Sequence, residues 1–203
     1  MIKAIIFDFG RVISAQKPPS LFSAYEKDLG IPPGTINPVM FGSKAWRKLL
    51  VGRITTDEYW QAIAPQLNLS SATAISSFRK RYRQDEAVNE GVVQIVCQLR
   101  GQYKLGVLSN CPPGLADWLR EWEILHLFDA VLCSGDEGLV KPDPAFFELV
   151  IDRLRVAPDE AVFIDDTSGH VLAAQRVGMR GVLFTTSEQL KVDLARVLGD
   201  GTL

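Results

Sequence analysis

The chain has 203 residues, 47% hydrophobic and 23% charged, with a formal net charge of −2; this supports one sizeable core, or a core plus a small second unit. The slight acidity excludes general nucleic-acid binding, no apolar run approaches the ~20 residues of a membrane span, and no small-residue cleavage site follows the first apolar run. Three cysteines and two histidines are too few for a disulfide framework, a zinc site or a His-rich metal centre, so a soluble, cytoplasmic protein, monomeric or weakly dimeric, is expected.

The first apolar run, KAIIFDF (3–9), reads as a strand buried on both faces, and it delivers Asp8 in the stretch FDFG. Residues 15–89 differ: they hold no strand pattern but several helical ones, in LFSAYEKDLG, SKAWRKLLVG, EYWQAIAPQL and SATAISSFRKRY. A capping box at Thr55–Glu58 opens the third, with Thr55 reaching forward and Glu58 back. Four more buried strands are predicted at KLGVLSN (104–110), DAVLCS (129–134), AVFIDD (161–166) and RGVLFTT (180–186). Helical patterns at 113–123, 143–154 and 169–178 lie between them, the spacing of parallel βαβ units. Trp118 and Trp122 in the first of these read as core. The expectation is an α/β fold: a Rossmann-like parallel sheet from 1–14 and 90–203, interrupted after its first strand by an all-helical cap, 15–89. An insertion at the carboxyl end of a strand stands over the edge where open parallel sheets bind ligands.

Four of the five predicted strands end in polar groups, at Asp8, Ser109-Asn110, Ser134 and Asp165-Asp166. A parallel sheet gathers these ends at one crevice. Each has a plain reading alone, since Ser and Asn form turns and Asp caps helices, as Asp166 would for a helix starting near Ser168. The adjacent pair is harder to dismiss: two carboxylates at a buried strand end repel, and desolvation is costly unless a cation neutralises them. With Asp8 they make three hard oxygen donors, a set that suits Mg²⁺. Lys141, in GLVKPDPAFF, is either a solvated turn lysine or an ammonium aimed at a phosphate or carboxylate in the crevice.

FDFGRV, LSN, KPDPAFF and FIDDTSGHVLAA, in this order, resemble the four motifs of the haloacid dehalogenase-like hydrolase superfamily, and the helical insert resembles its C1-type cap. The likeness covers essentially the whole chain, and within the superfamily the chain is similar to small sugar-phosphate phosphatase-like members with a D-x-G first motif. The resemblance implies a Mg²⁺-dependent phosphomonoesterase acting on a small phosphorylated metabolite. Asp8 would attack phosphorus to form an aspartyl-phosphate, and Lys141 would neutralise the transferring group and orient the carboxylates. Ser109 and Asn110, with Phe9 and Gly10 beside the nucleophile, would bind the phosphoryl group. Asp8, the carbonyl of Gly10 and Asp166 would hold Mg²⁺, with Asp165 beside it.

Two departures stand out. Gly10 replaces the acid/base Asp of most such phosphatases, and His170 stands where Asn or Asp usually follows the acidic pair, reading here as a structural histidine. The glycine does not exclude catalysis, because phosphoryl transfer rests mainly on positioning and charge stabilisation. It does leave the leaving-group proton to the cap, to water or to the substrate, and a positive φ is one reason a glycine would stand there in place of a side chain. Two alternatives are a 2-haloacid dehalogenase, against which Asp165-Asp166 argues, and a catalytically weak phosphate-binding domain. In the cap, Trp46, Arg47, Arg53 and Tyr59 are specificity candidates that serve equally well as fold or surface residues.

Overall fold

The computed structural model describes residues 1–199. Five strands, β1 (Ala4–Phe7), β2 (Lys104–Ser109), β3 (Ala130–Cys133), β4 (Ala161–Asp165) and β5 (Arg180–Leu183), form one sheet in the order β3-β2-β1-β4-β5. Every pairing is parallel. The predicted strands are all present, β1 and β3 shorter at both ends and β2, β4 and β5 at the C-terminal end only.

Within β1, Ile5 and Phe7 face one apolar cluster while Ala4 and Ile6 face the other. Both faces are covered, which is why the strand reads as a continuous apolar run rather than an alternating one. The helices that cover the sheet are α6 (Glu90–Leu99), α7 (Leu115–Glu121), α8 (Ser134–Glu137), α9 (Pro144–Leu154), α10 (Ser168–Arg176) and α11 (Ser187–Leu198). Val92, Ile95 and Leu99 of α6 share a cluster with Leu190 and Leu194 of α11, while Phe146, Phe147 and Val150 of α9 pack on the opposite face. Gly106 in β2 permits that packing: a Cβ there would sit 3.0 Å from Leu154 Cδ1 and 3.3 Å from Ile6 Cγ1.

Between β1 and α6 the chain forms α1 (Pro19–Leu29), α2 (Ile36–Gly42), α3 (Lys44–Leu49), α4 (Thr56–Ile63) and α5 (Ala72–Gln84). These helices bury a separate cluster that includes Tyr25, Ile36, Met40, Trp60, Ile63 and Phe78. The Thr55–Glu58 capping box opens α4, satisfying two otherwise orphaned N–H groups. Helix α2 was not legible, because Pro32-Pro33-Gly34 and Pro38 read as loop. Its first turn is held from outside: the Glu26 carboxylate on α1 accepts the Ile36 N–H at 3.0 Å.

The helical segment enters and leaves through two paired strands of chain. Ser14 and Val88 form an antiparallel bridge, the Ala15 N–H donates to the Ala87 carbonyl at 2.7 Å, and the Asn89 N–H to that of Ile13 at 2.8 Å. A second tie lies further out, where Arg83 of α5 donates to Glu121 of α7 at 2.6 Å and its guanidinium lies 4.5 Å from the Trp118 ring centroid.

Candidate active site

Parallel pairing brings the carboxyl ends of β1, β2 and β4 side by side, with Asp8 immediately after β1, Ser109 ending β2 and Asp165 ending β4. The Lys141 side chain, 1% exposed, reaches between them. Its ammonium donates to Asp8 Oδ1 at 2.9 Å and to Asp165 Oδ2 at 2.6 Å. The Asn110 side chain fixes the lysine's backbone, donating to the Lys141 carbonyl at 2.9 Å and accepting its N–H at 2.8 Å.

Asp165 is fully buried and gathers further partners. Its Oδ1 accepts the Thr167 N–H at 2.7 Å, and the His170 Nδ1 lies 3.0 Å from Oδ2. Burial alone would raise the Asp165 carboxyl, but hydrogen bonds from His170 and Lys141 hold it below the usual carboxylate range. At Asp8 burial wins instead and pushes the carboxyl up, against the pull of Lys141. Burial would depress the lysine itself, yet Asp8 and Asp165 reverse this and keep it above its ordinary value, hence charged.

Asp166 is less buried and takes the Arg11 guanidinium on Oδ2 at 2.8 Å and the Thr167 hydroxyl on Oδ1 at 3.2 Å. The N-cap of α10 is Thr167, not Asp166, so the capping reading of that carboxylate falls away. One oxygen from each of Asp8, Asp165 and Asp166 lies within 4.8 Å of the others. Three carboxylates against the buried Lys141 ammonium and the largely exposed Arg11 guanidinium still leave one negative charge in excess. An all-oxygen set of this kind fits a hard divalent cation such as Mg²⁺.

Other sequence candidates settle differently. Gly10 has φ −65° and ψ 121°, and a Cβ there would meet only Asp8 Oδ2 at 3.9 Å; positive φ is therefore not its reason. The left-handed residue is its neighbour Arg11, at φ 61°. The Phe9 ring packs into the core, stacked on Trp122 at 5.5 Å and edge-on to Trp118 at 6.0 Å. Ser134 is buried and exchanges hydrogen bonds with the Cys111 backbone, a purely local tie.

The crevice opens into a cavity of about 580 Å³ between the sheet edge and the helical segment, lined by Asp8, Gly10, Arg11, Ser109, Asn110, Lys141, Asp166 and His170 on the sheet side. Facing them are Gln16, Lys17, Phe22, Asn37, Phe41, Tyr82 and Glu86. None of Trp46, Arg47, Arg53 and Tyr59 lines it; Tyr59 is buried and donates to the Met40 carbonyl at 2.8 Å. Lys17 and Glu86 were within reach of sequence reasoning, since they flank the entry and exit of the insert and so must lie near the end of β1. The aromatic residues carried no such signal.

Residues 2–178 match the haloacid dehalogenase-like hydrolase family. The chain is 29% identical to the sesquiterpene phosphatase astK of Aspergillus oryzae, over 97% of both proteins. It is 27% identical to the drimenol cyclase drtB of Aspergillus calidoustus, of which it spans only 37%. Among solved structures, it resembles a HAD-family enzyme from Bacteroides thetaiotaomicron in complex with magnesium and inorganic phosphate, with a TM-score of 0.73 at 20% identity over 92% of this chain and 96% of that one. The L-2-haloacid dehalogenase of Xanthobacter autotrophicus gives a TM-score of 0.68 at 22% identity over 97% and 83%. The chain belongs to the haloacid dehalogenase-like hydrolase family.

Proposed function

We propose that the protein is a Mg²⁺-dependent phosphomonoesterase acting on a small phosphorylated metabolite, sugar phosphates among the candidates, through an aspartyl-phosphate on Asp8. The observation that carries this reading is the Lys141 ammonium clamped between Asp8 and Asp165, with Asp166 close enough to share a cation with both. The relative named as a sesquiterpene phosphatase supports phosphate-ester hydrolysis and extends the candidates to apolar alcohols. The paired acids argue against the dehalogenase alternative, since displacement of halide from carbon needs no such concentration of carboxylates.

Asp8, held by Lys141 on one oxygen, presents the other to phosphorus. Its attack forms the Asp8 O–P bond as the bond from phosphorus to the ester oxygen breaks, and the departing alkoxide takes its proton from water and leaves as the alcohol. Water then attacks phosphorus, releasing phosphate and restoring the carboxylate. Magnesium, held by Asp8, Asp166 and the Gly10 carbonyl with Asp165 beside them, would neutralise the phosphoryl oxygens. Lys141 supplies a fixed positive charge toward the same oxygens, its own position set by the Asn110 grip. The Ser109 hydroxyl, beside Asp8, and the backbone of Phe9 and Gly10 complete the phosphoryl seat. His170 keeps Asp165 oriented. The decisive assay is phosphate release from a panel of monoesters, with Mg²⁺ and with EDTA. Turnover that requires Mg²⁺ is expected; turnover undiminished in EDTA, or none on any ester, would contradict the reading.

A further inference from the structure

Three aromatic rings stand on the wall facing the carboxylates. Phe22 of α1, Phe41 of α2 and Tyr82 of α5 all line the cavity, brought together from three helices. Each is held by another aromatic residue of the segment: Phe22 stands edge-on to Tyr25 at 6.1 Å, Phe41 edge-on to Trp46 at 5.3 Å, and Tyr82 lies 5.9 Å from Tyr25. These rings are preorganised before any ligand arrives. Phe41 is nevertheless 39% exposed, an apolar surface that gains from being covered.

The charges on that wall cancel. Lys17 and Glu86 form an ion pair, and the Lys17 ammonium also lies 4.5 Å from the Tyr82 ring centroid. Neither charge is left over for a second phosphate or a carboxylate on the substrate. Gln16 and Asn37 add hydrogen-bonding groups at the same wall, few for the ring of hydroxyls on a sugar. The volume, about 580 Å³, lies within the ~300–1,000 Å³ typical of sites that enclose ligands much larger than a phosphate group.

We propose that the alcohol released by this enzyme is bulky and predominantly apolar, seated against Phe22, Phe41 and Tyr82 while its phosphate meets Asp8 and Lys141. This rests on the phosphomonoesterase reading and narrows it away from sugar phosphates. Covering the rings contributes binding that a polyhydroxylated leaving group cannot match without paired partners for its hydroxyls.

The test compares esters of primary alcohols, so that leaving-group reactivity stays nearly constant: citronellyl phosphate, the primary phosphate ester of glucose, and glycerol phosphate. With Mg²⁺, kcat/KM for the citronellyl ester is expected to exceed the other two by at least ~10-fold, mostly through KM. Phe41→Ala and Phe22→Ala should each shrink that ratio, and Phe41→Leu should retain most of it. Phe41 is the safer variant, because its ring lies partly outside the packed cluster. A glucose ester used as well as the citronellyl ester, while p-nitrophenyl phosphate is hydrolysed normally, overturns the proposal and leaves the phosphatase reading intact. A citronellyl preference unmoved by either alanine variant also overturns it. If p-nitrophenyl phosphate is not hydrolysed at all, the phosphatase reading falls and the proposal with it.

Discussion

At Gly10 the backbone is one that any residue adopts, φ −65° and ψ 121°, and the space above it is open. Nothing steric therefore forbids an acid/base carboxylate there. Gly10→Asp is expected to fold normally and to flatten the dependence of rate on leaving-group pKa, with a gain bounded by the ~10²–10⁴-fold typical of a general acid. Single-turnover rates over a graded ester series would check this; a dependence already shallow in the wild type would mean another group supplies the proton. The strain lies one residue on. Arg11 sits at φ 61°, a conformation costing a non-glycine residue ~1–2 kcal/mol, and its side chain, 58% exposed, pairs with Asp166. An ion pair this accessible is worth ~0–1 kcal/mol, so Arg11→Gly should not lower Tm. It should tighten Mg²⁺ binding measured calorimetrically, because Asp166 loses a competing cation. Asp8, Lys141 and the acidic pair were legible because charged groups after apolar runs are conspicuous. Arg11 was not: backbone handedness leaves no mark on a lone arginine.

Among the elements, the α1–α5 contact carries a polar link inside an aromatic cluster. Tyr25, with no exposed surface, donates its hydroxyl to Asp85, the C-cap of α5, at 2.7 Å. Tyr25→Phe keeps the ring and removes the bond; a loss of ~1 kcal/mol in chemical denaturation is expected. Burial, with Asp85 beside it, raises the Tyr25 pKa above the usual tyrosine range, and burial does the same for Tyr59 and Tyr82. The sign follows from linkage: the unfolded chain loses these protons first, above pH ~10. Stability is then unaffected below that pH and falls as pH rises through the folded-state values. The Phe variant should fall less steeply than wild type, and equal slopes would show that Tyr25 ionises freely in the fold. The strands were legible to within a few residues because burial on both faces leaves an unbroken apolar run. Helix α2 was hidden because its start is fixed by Glu26, ten residues upstream, rather than by a local cap.

For the molecule as a whole, the cavity exists only because the helical segment folds back over the sheet edge, fastened by the Ser14–Val88 bridge and the Arg83–Glu121 pair. Its polar floor was legible from strand ends. Its aromatic wall was not, since Phe22, Phe41 and Tyr82 converge only through tertiary packing. If Mg²⁺ binds the folded carboxylates and not the unfolded chain, the metal at a hundred times its Kd should stabilise the protein by ~2.7 kcal/mol, read as a rise in Tm. Asp166→Ala should abolish most of that rise, and an unchanged shift would remove Asp166 from the ligand set. The most direct test of the central claim is phosphate release from p-nitrophenyl phosphate by Asp8→Asn in Mg²⁺. The substitution keeps the shape of the side chain and takes away the attacking anion. A loss of at least ~10³-fold in kcat, with thermal unfolding close to wild type, is the result predicted; retention of more than about a tenth of the activity, far above that expected loss, would contradict Asp8 as the nucleophile.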